Sequence, residues 1–232
     1  MTEGFRERLG AVNERIKAAC ERAGRDPSEV KLVAVSKTHP AETVREAVEA
    51  GIFIFGENKV QEGLGKIEEV GDSKCEWHLI GHLQSNKAKK ALKSFDVIQT
   101  VDSIKIAERL DRIAGEESIE DFPVFIQVDL GKEATKSGVY EEELDELVDT
   151  VLKCPNLRFE GLMTIPPYLP DPDDVRPYFR RLRGLRDNLK NEGAFGDARG
   201  ELSMGMSHDF EAAIEEGATI VRVGTAIFGP RR

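Results

Sequence analysis

The sequence predicts an α/β fold in which a single (β/α)8 barrel of the TIM type carries an additional N-terminal helix. Short apolar runs alternate with amphipathic helical patterns through 232 residues, and no linker interrupts them. Several of these runs are apolar on both faces, as parallel strands covered by helices must be. Eight strand–helix alternations favour a closed barrel over an open sheet, and a chain of this length fits one such domain.

The first element is predicted to be a helix that packs on the barrel. Apolar residues recur at spacings of three and four from Phe5 to Ala19. Gly24 can end this helix, and Asp26-Pro27 breaks the pattern. Because little chain follows the last predicted strand, residues 1–25 are expected to cover that side of the barrel.

The predicted strands are short apolar runs, each followed by a helical pattern or a turn. They span residues 30–37, 52–57, 76–81, 97–102, 123–130, 157–165, 201–207 and 219–224. The least regular loop, at residues 166–172, is too short to link two domains. Residues 1–232 are therefore interpreted as one domain.

Composition and charge exclude several classes of partner. The net charge of −10 and the pI near 5.1 argue against nucleic acid and anionic membranes, which attract basic surfaces. No segment approaches the roughly 18 apolar residues that span a bilayer, and the N-terminus lacks the apolar core of a signal peptide. Three widely spaced cysteines form no disulfide framework. We therefore expect a cytoplasmic protein.

Lys37 is the first candidate for chemistry, because barrels of this type carry their active sites at the carboxyl ends of the strands. It is a lone amine at the end of an apolar run, just before a helix start. Such a lysine either extends to solvent or is partly desolvated, which lowers its pKa and makes it a nucleophile.

A phosphate site is predicted at the ends of the last two strands. Ser207 precedes a helix and is expected to be its N-cap, while Gly224 and Thr225 offer a close backbone approach and a hydroxyl. The loops after strands seven and eight form the recurrent phosphate site of these barrels. Ordinary capping and a tight turn are the alternative, and Asp209 argues mildly against an anion.

Arg222 stands in an apolar run that should be buried. Because a guanidinium keeps its charge, it needs an acceptor inside the barrel. Two interpretations stay open at this point: a structural ion pair with Asp129 or Glu57, or a contact with a ligand.

Other patterns favour plain structural roles. His78 and His82 have a metal-like spacing, but Gly81 indicates a strand and a turn instead of the helix that a zinc site of this spacing needs. Residues 63–66 lie in a helical pattern and form no complete P-loop. Two basic clusters are interpreted as solvated helix faces. They are Lys87, Lys89, Lys90 and Lys93, and Arg176, Arg180, Arg181, Arg183 and Arg186.

Six segments carry a family resemblance. They are AVSKT at 34–38, FGENKVQE at 55–62, WHLIGHLQSNK at 77–87, GLMTI at 161–165, LSMGMS at 202–207 and VRVGTAIFG at 221–229. With them the chain resembles the pyridoxal 5′-phosphate homeostasis proteins (the YggS/PROSC family), whose fold is similar to the N-terminal domain of alanine racemase. The resemblance covers essentially the whole chain.

The resemblance implies a cofactor site for pyridoxal 5′-phosphate and no metal site. Its residues are Lys37, Asn58, Ser207, Arg222, Gly224 and Thr225. Lys37 would form the internal aldimine, Asn58 would lie near the ring, and Arg222 would face the pyridine nitrogen. The remaining three would hold the phosphate. An arginine leaves that nitrogen unprotonated, and the ring is then a weak electron sink.

We therefore expect a non-catalytic protein that stores, buffers or delivers the cofactor, with apo pyridoxal phosphate enzymes as recipients. Alanine racemases need a tyrosine from a partner's C-terminal domain, and this chain ends at Arg232, directly after the predicted barrel. A monomer is expected for the same reason. Two alternatives remain: a weak amino-acid racemase or lyase, and a cofactor-free Schiff-base aldolase. Lys136 could be a second cofactor lysine or a loop residue, and the loop interpretation is favoured.

Overall fold

Eight parallel strands close into a barrel in chain order, each paired with the next and the last with the first. The computed structural model describes residues 2–71, 74–133 and 137–229. The strands are β1 Lys31–Val35, β2 Ile54–Glu57, β3 Glu76–Leu79, β4 Val97–Val101, β5 Phe122–Gln127, β6 Leu157–Met163, β7 Glu201–Met206 and β8 Ile220–Val223. The predicted barrel is confirmed.

Helices connect the strands along the outside of the barrel, as right-handed parallel crossovers require. They are α1 Thr2–Ala23, α2 Ala41–Glu49, α3 Val60–Val70, α4 Ala88–Ser94, α5 Ile104–Glu116, α6 Leu144–Leu152, α7 Arg176–Asn191, α8 Phe210–Glu215 and α9 Thr225–Phe228. The first helix precedes the barrel, as predicted.

The buried residues form two layers. The larger layer lies between helices and sheet and contains residues such as Phe55, Leu79 and Ile98. The smaller layer fills the barrel interior, where Val33 and Phe125 are fully or almost fully buried. Successive side chains of a strand point to opposite faces, so each strand contributes to both layers. This explains why the strands read as continuous apolar runs.

Helix α1 packs against the last two helices of the barrel. Phe5 meets Phe228 edge to face at 5.6 Å between ring centroids, and Arg15 pairs with Glu211 at 3.0 Å. Burial of each large apolar side chain contributes about 1.5–3 kcal/mol, whereas an exposed ion pair contributes under about 1 kcal/mol. Apolar packing therefore holds α1 in place, and Gly24 ends the helix in the left-handed conformation, with φ of 64°.

Most strands end one to three residues earlier than the sequence predicts, at the upper edge of the barrel. The first strand, predicted to reach Lys37, ends at Val35. The backbone turns immediately afterwards, and Thr38 has a φ of 69°. This turn removes Lys37 from the sheet and places it between β1 and α2.

The basic clusters have the structural roles that the sequence favours. In α7, Arg176 and Arg180 pair with Glu216, and in α4, Lys89 and Lys93 both pair with Glu117. Within the three described ranges, no helix combines the length and the apolar character that crossing a membrane requires.

Candidate cofactor site at the barrel mouth

The register of the strands brings the predicted site residues to the upper mouth of the barrel, where the carboxyl ends of the strands meet. Strand β1 pairs with β8 so that Val33 is opposite Arg222, and with β2 so that Val35 is opposite Gly56. A Cβ on Gly224 would lie 3.3 Å from the Val35 carbonyl oxygen. The loops after β1, β2 and β8 are therefore neighbours.

Lys37 lies half-buried in the turn between β1 and α2. The preceding Ser36 is fully buried, and the backbone N–H of Thr38 donates to Glu62 Oε1. A left-handed threonine is unfavourable on its own because it is β-branched. The turn therefore depends on contacts that hold both neighbours of Lys37.

Those contacts come from a group of four residues that we call the Lys66 cluster: Ser36, Glu57, Glu62 and Lys66. The Lys66 ammonium donates to the Ser36 carbonyl oxygen at 2.7 Å, to Glu57 Oε1 at 2.6 Å and to Glu62 Oε1 at 2.8 Å. The Ser36 hydroxyl donates to Glu57 Oε1 at 2.6 Å. The cluster fixes the backbone on each side of Lys37.

The two carboxylates of the Lys66 cluster shift in opposite directions. Burial raises the pKa of Glu57, although hydrogen bonds from Lys66 and Ser36 oppose the shift. Burial acts on Glu62 too, but hydrogen bonds from Lys66 and the Thr38 backbone outweigh it and lower the pKa of Glu62. The charge of the fully buried Glu57 therefore needs the Lys66 ammonium more than the charge of the partly exposed Glu62 does.

Two buried acceptors at the end of β2 have no hydrogen-bond partner among the described residues. They are Glu57 Oε2 and Asn58 Oδ1. Buried polar atoms are almost always hydrogen-bonded, so an orphaned one at the mouth indicates a place where a ligand supplies the missing contact. Asn58 is the residue that the resemblance assigns to the cofactor ring.

The loops after β7 and β8 are joined by a hydrogen bond from the Gly224 backbone N–H to Ser207 Oγ, at 3.1 Å. The prediction that Ser207 caps the following helix is wrong. Helix α8 begins at Phe210, and Asp209 occupies the N-cap position without a side-chain cap bond. The Asp209 carboxylate instead accepts from the Met206 N–H at 2.6 Å, within its own loop.

Thr225 opens the short helix α9, and Gly224 precedes it. The first N–H groups of a helix have no acceptor within the helix, and the residue directly before them, Gly224, donates to the Ser207 hydroxyl. The ring of His39 stacks on Phe228 at 5.1 Å between centroids. This contact ties the Lys37 turn to α9.

Arg222 is buried, with 3% of its surface exposed. Its guanidinium donates to Ser203 Oγ at 2.6 Å and to the Thr164 carbonyl oxygen at 2.8 Å. Of the two interpretations left open by the sequence, the ion pair with Asp129 or Glu57 is not formed. Burial lowers the pKa of Arg222 to about 10, while the charge of Asp209 opposes the shift, so the guanidinium remains charged at neutral pH.

The two histidines with metal-like spacing have different surroundings. His78 lies in the barrel interior and contacts Glu76 and Gln99, whereas His82 is about half exposed and contacts Asp102 at 2.9 Å. Lys136, the possible second cofactor lysine, lies outside the described residues.

Sequence reasoning missed three residues that organise the mouth: Lys66, Ser203 and Gln99. Lys66 had a detectable signal, because a lysine on the apolar face of α3 must be paired. Ser203 and Gln99 had none, since they lie 104 positions apart in the chain and only barrel closure brings them together.

Comparisons with known proteins identify the family and the fold. The family model described as "Alanine racemase, N-terminal domain" matches residues 8–232. A relative from Aquifex aeolicus, named pyridoxal phosphate homeostasis protein, is 51% identical over 226 residues, which cover 97% of this chain and 98% of the relative.

Solved structures show the same fold. PipY from Synechococcus elongatus with pyridoxal phosphate bound has a TM-score of 0.83 and 40% identity, and the match covers 97% of this chain and 100% of PipY. Alanine racemase from Corynebacterium glutamicum has a TM-score of 0.66 at 21% identity, over 94% of this chain and 60% of the racemase. The second likeness concerns the fold alone.

Proposed function

The chain belongs to the pyridoxal phosphate homeostasis proteins, within the alanine racemase N-terminal domain family, and on this basis we propose that it binds pyridoxal 5′-phosphate. The protein holds the cofactor without catalysing a reaction. It stores, buffers or delivers the cofactor, and apo pyridoxal phosphate enzymes are the proposed recipients. A monomeric, cytoplasmic protein is part of the same proposal.

One observation carries the proposal: a primary amine lies in one loop of the mouth, and hydroxyl and backbone N–H donors lie in the neighbouring loops. Gly224 joins the two, because its N–H donates to Ser207 Oγ and a Cβ on it would lie 3.3 Å from the carbonyl oxygen of Val35, two residues before Lys37. Pyridoxal phosphate carries an aldehyde and a phosphate on one small ring. The residues present therefore fit the group.

The cofactor supplies an aldehyde that reacts with primary amines and an aromatic ring conjugated to it. Lys37 joins its amine to the aldehyde as a Schiff base, with loss of one water molecule. Ser207, Gly224 and Thr225 hold the phosphate through hydroxyl and backbone donors. Arg222 donates to the ring nitrogen and keeps its own proton, since a guanidinium with a pKa of about 10 remains charged at neutral pH.

Arg222 also supports a role without catalysis. A carboxylic acid at the ring nitrogen protonates it and makes the ring a strong electron sink, whereas an arginine leaves the ring a weaker sink and so disfavours extensive carbanion chemistry. Asn58 contributes its buried amide at the ring. The Aquifex aeolicus relative is named for homeostasis and not for a reaction, which supports the same interpretation.

The covalent link is tested by incubating the protein with pyridoxal phosphate and removing the excess by gel filtration. We expect a visible absorption band, and after borohydride reduction we expect the added mass on the peptide that contains Lys37. Lys37→Ala should lose both signals. Lys59→Ala is the matched control, because Lys59 is an exposed lysine beside the same mouth. A wild-type protein that stays colourless would overturn the proposal.

The non-catalytic role is tested separately. With cofactor bound, alanine and other amino acids should show no deuterium exchange at Cα above the rate of free pyridoxal phosphate. The loaded protein should reactivate an apo pyridoxal phosphate enzyme. Exchange that requires Lys37 would identify the weak racemase or lyase instead. Borohydride trapping of a sugar phosphate, but not of pyridoxal phosphate, would identify the aldolase.

A further inference from the structure

A continuous chain of hydrogen bonds crosses the barrel interior, from Arg222 at the upper mouth to Glu76 at the lower mouth. We call it the relay. Its members are Arg222, Ser203, Gln99, His78 and Glu76. Each of its four links measures 2.6 Å between the donor and acceptor atoms. The relay passes from β8 to β7, then to β4 and β3.

The chemistry of the side chains gives the relay a single direction. Arg222 can only donate, so Ser203 Oγ accepts from it, and the Ser203 hydroxyl hydrogen goes to Gln99 Oε1. The Gln99 amide nitrogen then faces His78 Nδ1 and donates to it. With Nδ1 accepting, the hydrogen of the His78 ring is assigned to Nε2, which donates to Glu76 Oε1. Every donor points from the cation toward the carboxylate.

Because most of the relay is buried, its hydrogen bonds act on one another strongly. Gln99 and Ser203 have no exposed surface, and His78 is 1% exposed. Hydrogen bonds in such an interior polarise one another, and their charges are screened less than in water. Glu76 is the exception, with 39% of its side chain exposed, and it lines a cavity of about 420 Å³ at the lower mouth. Solvent thus reaches only the acidic end of the relay.

We propose that the relay couples the lower mouth to the cofactor site, with Ser203, Gln99, His78 and Glu76 acting as positioning residues for Arg222. The inference rests on the proposed function, because the ring nitrogen is what Arg222 would contact. Through Ser203, the relay accepts a hydrogen bond from one side of the guanidinium. The strength of that bond sets how strongly the other side of the guanidinium donates to the ring. The Glu76 carboxylate, at the far end of the barrel, thereby adjusts how strongly Arg222 draws electrons from the cofactor ring.

The first test needs no cofactor. Nitrogen-15 NMR of the histidine rings at pH 7.5 should show His78 as the neutral Nε2–H tautomer, and His78→Gln identifies its signals by their loss. In Gln99→Met the Nε2–H tautomer should persist, because Glu76 still accepts from Nε2, while the Nδ1 signal should shift because its donor is removed. An imidazolium, or an Nδ1–H tautomer in the wild-type protein, would contradict the direction of the relay whether or not pyridoxal phosphate binds.

The second test measures coupling in the loaded protein. Gln99→Met keeps the length of the side chain and leaves Arg222 its own contacts, but it cuts the relay at its centre. We expect the pH midpoint of the cofactor absorption band to fall by about 0.1–0.6 unit, which corresponds to a change of roughly 10–30% in one hydrogen bond to a charged group. Glu76→Gln keeps the acceptor and removes the charge, and it should shift the midpoint in the same direction by less.

The two tests distinguish a failure of the relay proposal from a failure of the proposed function. A Gln99→Met protein that binds the cofactor with an unchanged midpoint would show that the relay only satisfies buried polar groups. If Gln99→Met does not fold, the half-exposed Glu76→Gln decides, and an unchanged midpoint there overturns the coupling. A wild-type protein without a cofactor band refutes the proposed function and the ring-nitrogen end of the relay, while the tautomer measurement still decides its direction.

Discussion

On the β1–β2 side of the upper mouth, a buried ion pair and its hydrogen bonds fix the turn that carries Lys37. On the β7–β8 side, a neutral hydroxyl and backbone N–H groups join the loops that contain Ser207 and Gly224. Both sides belong to one mouth, but one is held by a buried ion pair between side chains, whereas the two loops of the other are joined by a hydroxyl and a backbone N–H group. The difference follows from what each side has to bind.

A Schiff base requires an amine at a defined place, so the backbone around Lys37 must be fixed before the ligand arrives. The Lys66 cluster does this at the cost of burying charges, which are strongly destabilising if one partner is removed. A phosphate brings its own charge and needs only donors. We therefore expect variants on the first side to change stability and variants on the second side to change affinity.

The largest effect is expected for Lys66→Met. The substitution leaves the fully buried Glu57 without its cation, and breaking a buried pair costs roughly 3–5 kcal/mol. Urea unfolding at pH 7.5 should show a loss of that size. Because burial already raises the pKa of Glu57, the loss should shrink on acidification, when the carboxyl becomes protonated.

Lys59→Met controls for the removal of a lysine near the same helix, since Lys59 directly precedes α3, is exposed and should cost under about 1 kcal/mol. Equal stabilities of Lys66→Met and the control would show that the cluster does not hold the Lys37 turn.

A smaller effect on stability, with a clear effect on affinity, is expected for Ser207→Ala. The lost hydrogen bond to the Gly224 N–H costs about 1 kcal/mol of folding free energy. A hydrogen bond to a charged group contributes about 1.5–3 kcal/mol, so pyridoxal phosphate should bind about ten- to a hundredfold more weakly. Absorption titration measures this.

Pyridoxal, which lacks the phosphate, provides the control for Ser207. Its affinity should be the same in the wild type and in Ser207→Ala. If both ligands lose affinity equally, Ser207 does not hold the phosphate.

The smallest effects concern pH, and two buried glutamates allow a direct contrast. Burial raises the pKa of Glu57 above 4.5, so the stability that this group contributes is present below that pH and is lost as pH rises through the folded value. Burial also acts on Glu216, but its pairing with Arg180 and Arg176 prevails and lowers the pKa. Its contribution is present above 4.5 and lost as pH falls through the folded value.

Unfolding measured between pH 3.5 and 8 in Glu57→Gln and Glu216→Gln tests this contrast. The stability difference between wild type and Glu57→Gln should decrease with rising pH, and that between wild type and Glu216→Gln should decrease with falling pH. Slopes of the same sign would mean that the two environments do not differ as described.

The sequence alone predicts the eight-stranded barrel because the apolar runs and helix patterns are local signals. It also predicts that Ser207 and Gly224 lie close together, since both follow strands that end at one mouth. It fails at Ser207 in detail. Ser207 and Asp209 both precede helix α8, and either residue type is suited to the N-cap position. The helix begins after Asp209, so the Ser207 hydroxyl accepts a hydrogen bond from Gly224 instead.

The polar contacts inside the barrel were beyond sequence reasoning for a different reason. Arg222 is recognisable as a buried cation, but its partners Ser203 and the Thr164 carbonyl are chosen by closure of the barrel. The charge of Glu57 suggested an ion pair with Arg222, whereas in the structure Lys66 occupies Glu57 Oε1. Only the three-dimensional arrangement assigns such pairs.

The central claim is that both sides of the mouth hold one cofactor molecule. A crystal structure of the protein with pyridoxal 5′-phosphate tests it most directly. The account predicts continuous density from Lys37 Nζ to the cofactor, with the phosphate against Ser207, Gly224 and Thr225 and the ring nitrogen facing Arg222. Cofactor attached to another lysine, or a phosphate bound away from the loops after β7 and β8, would contradict it.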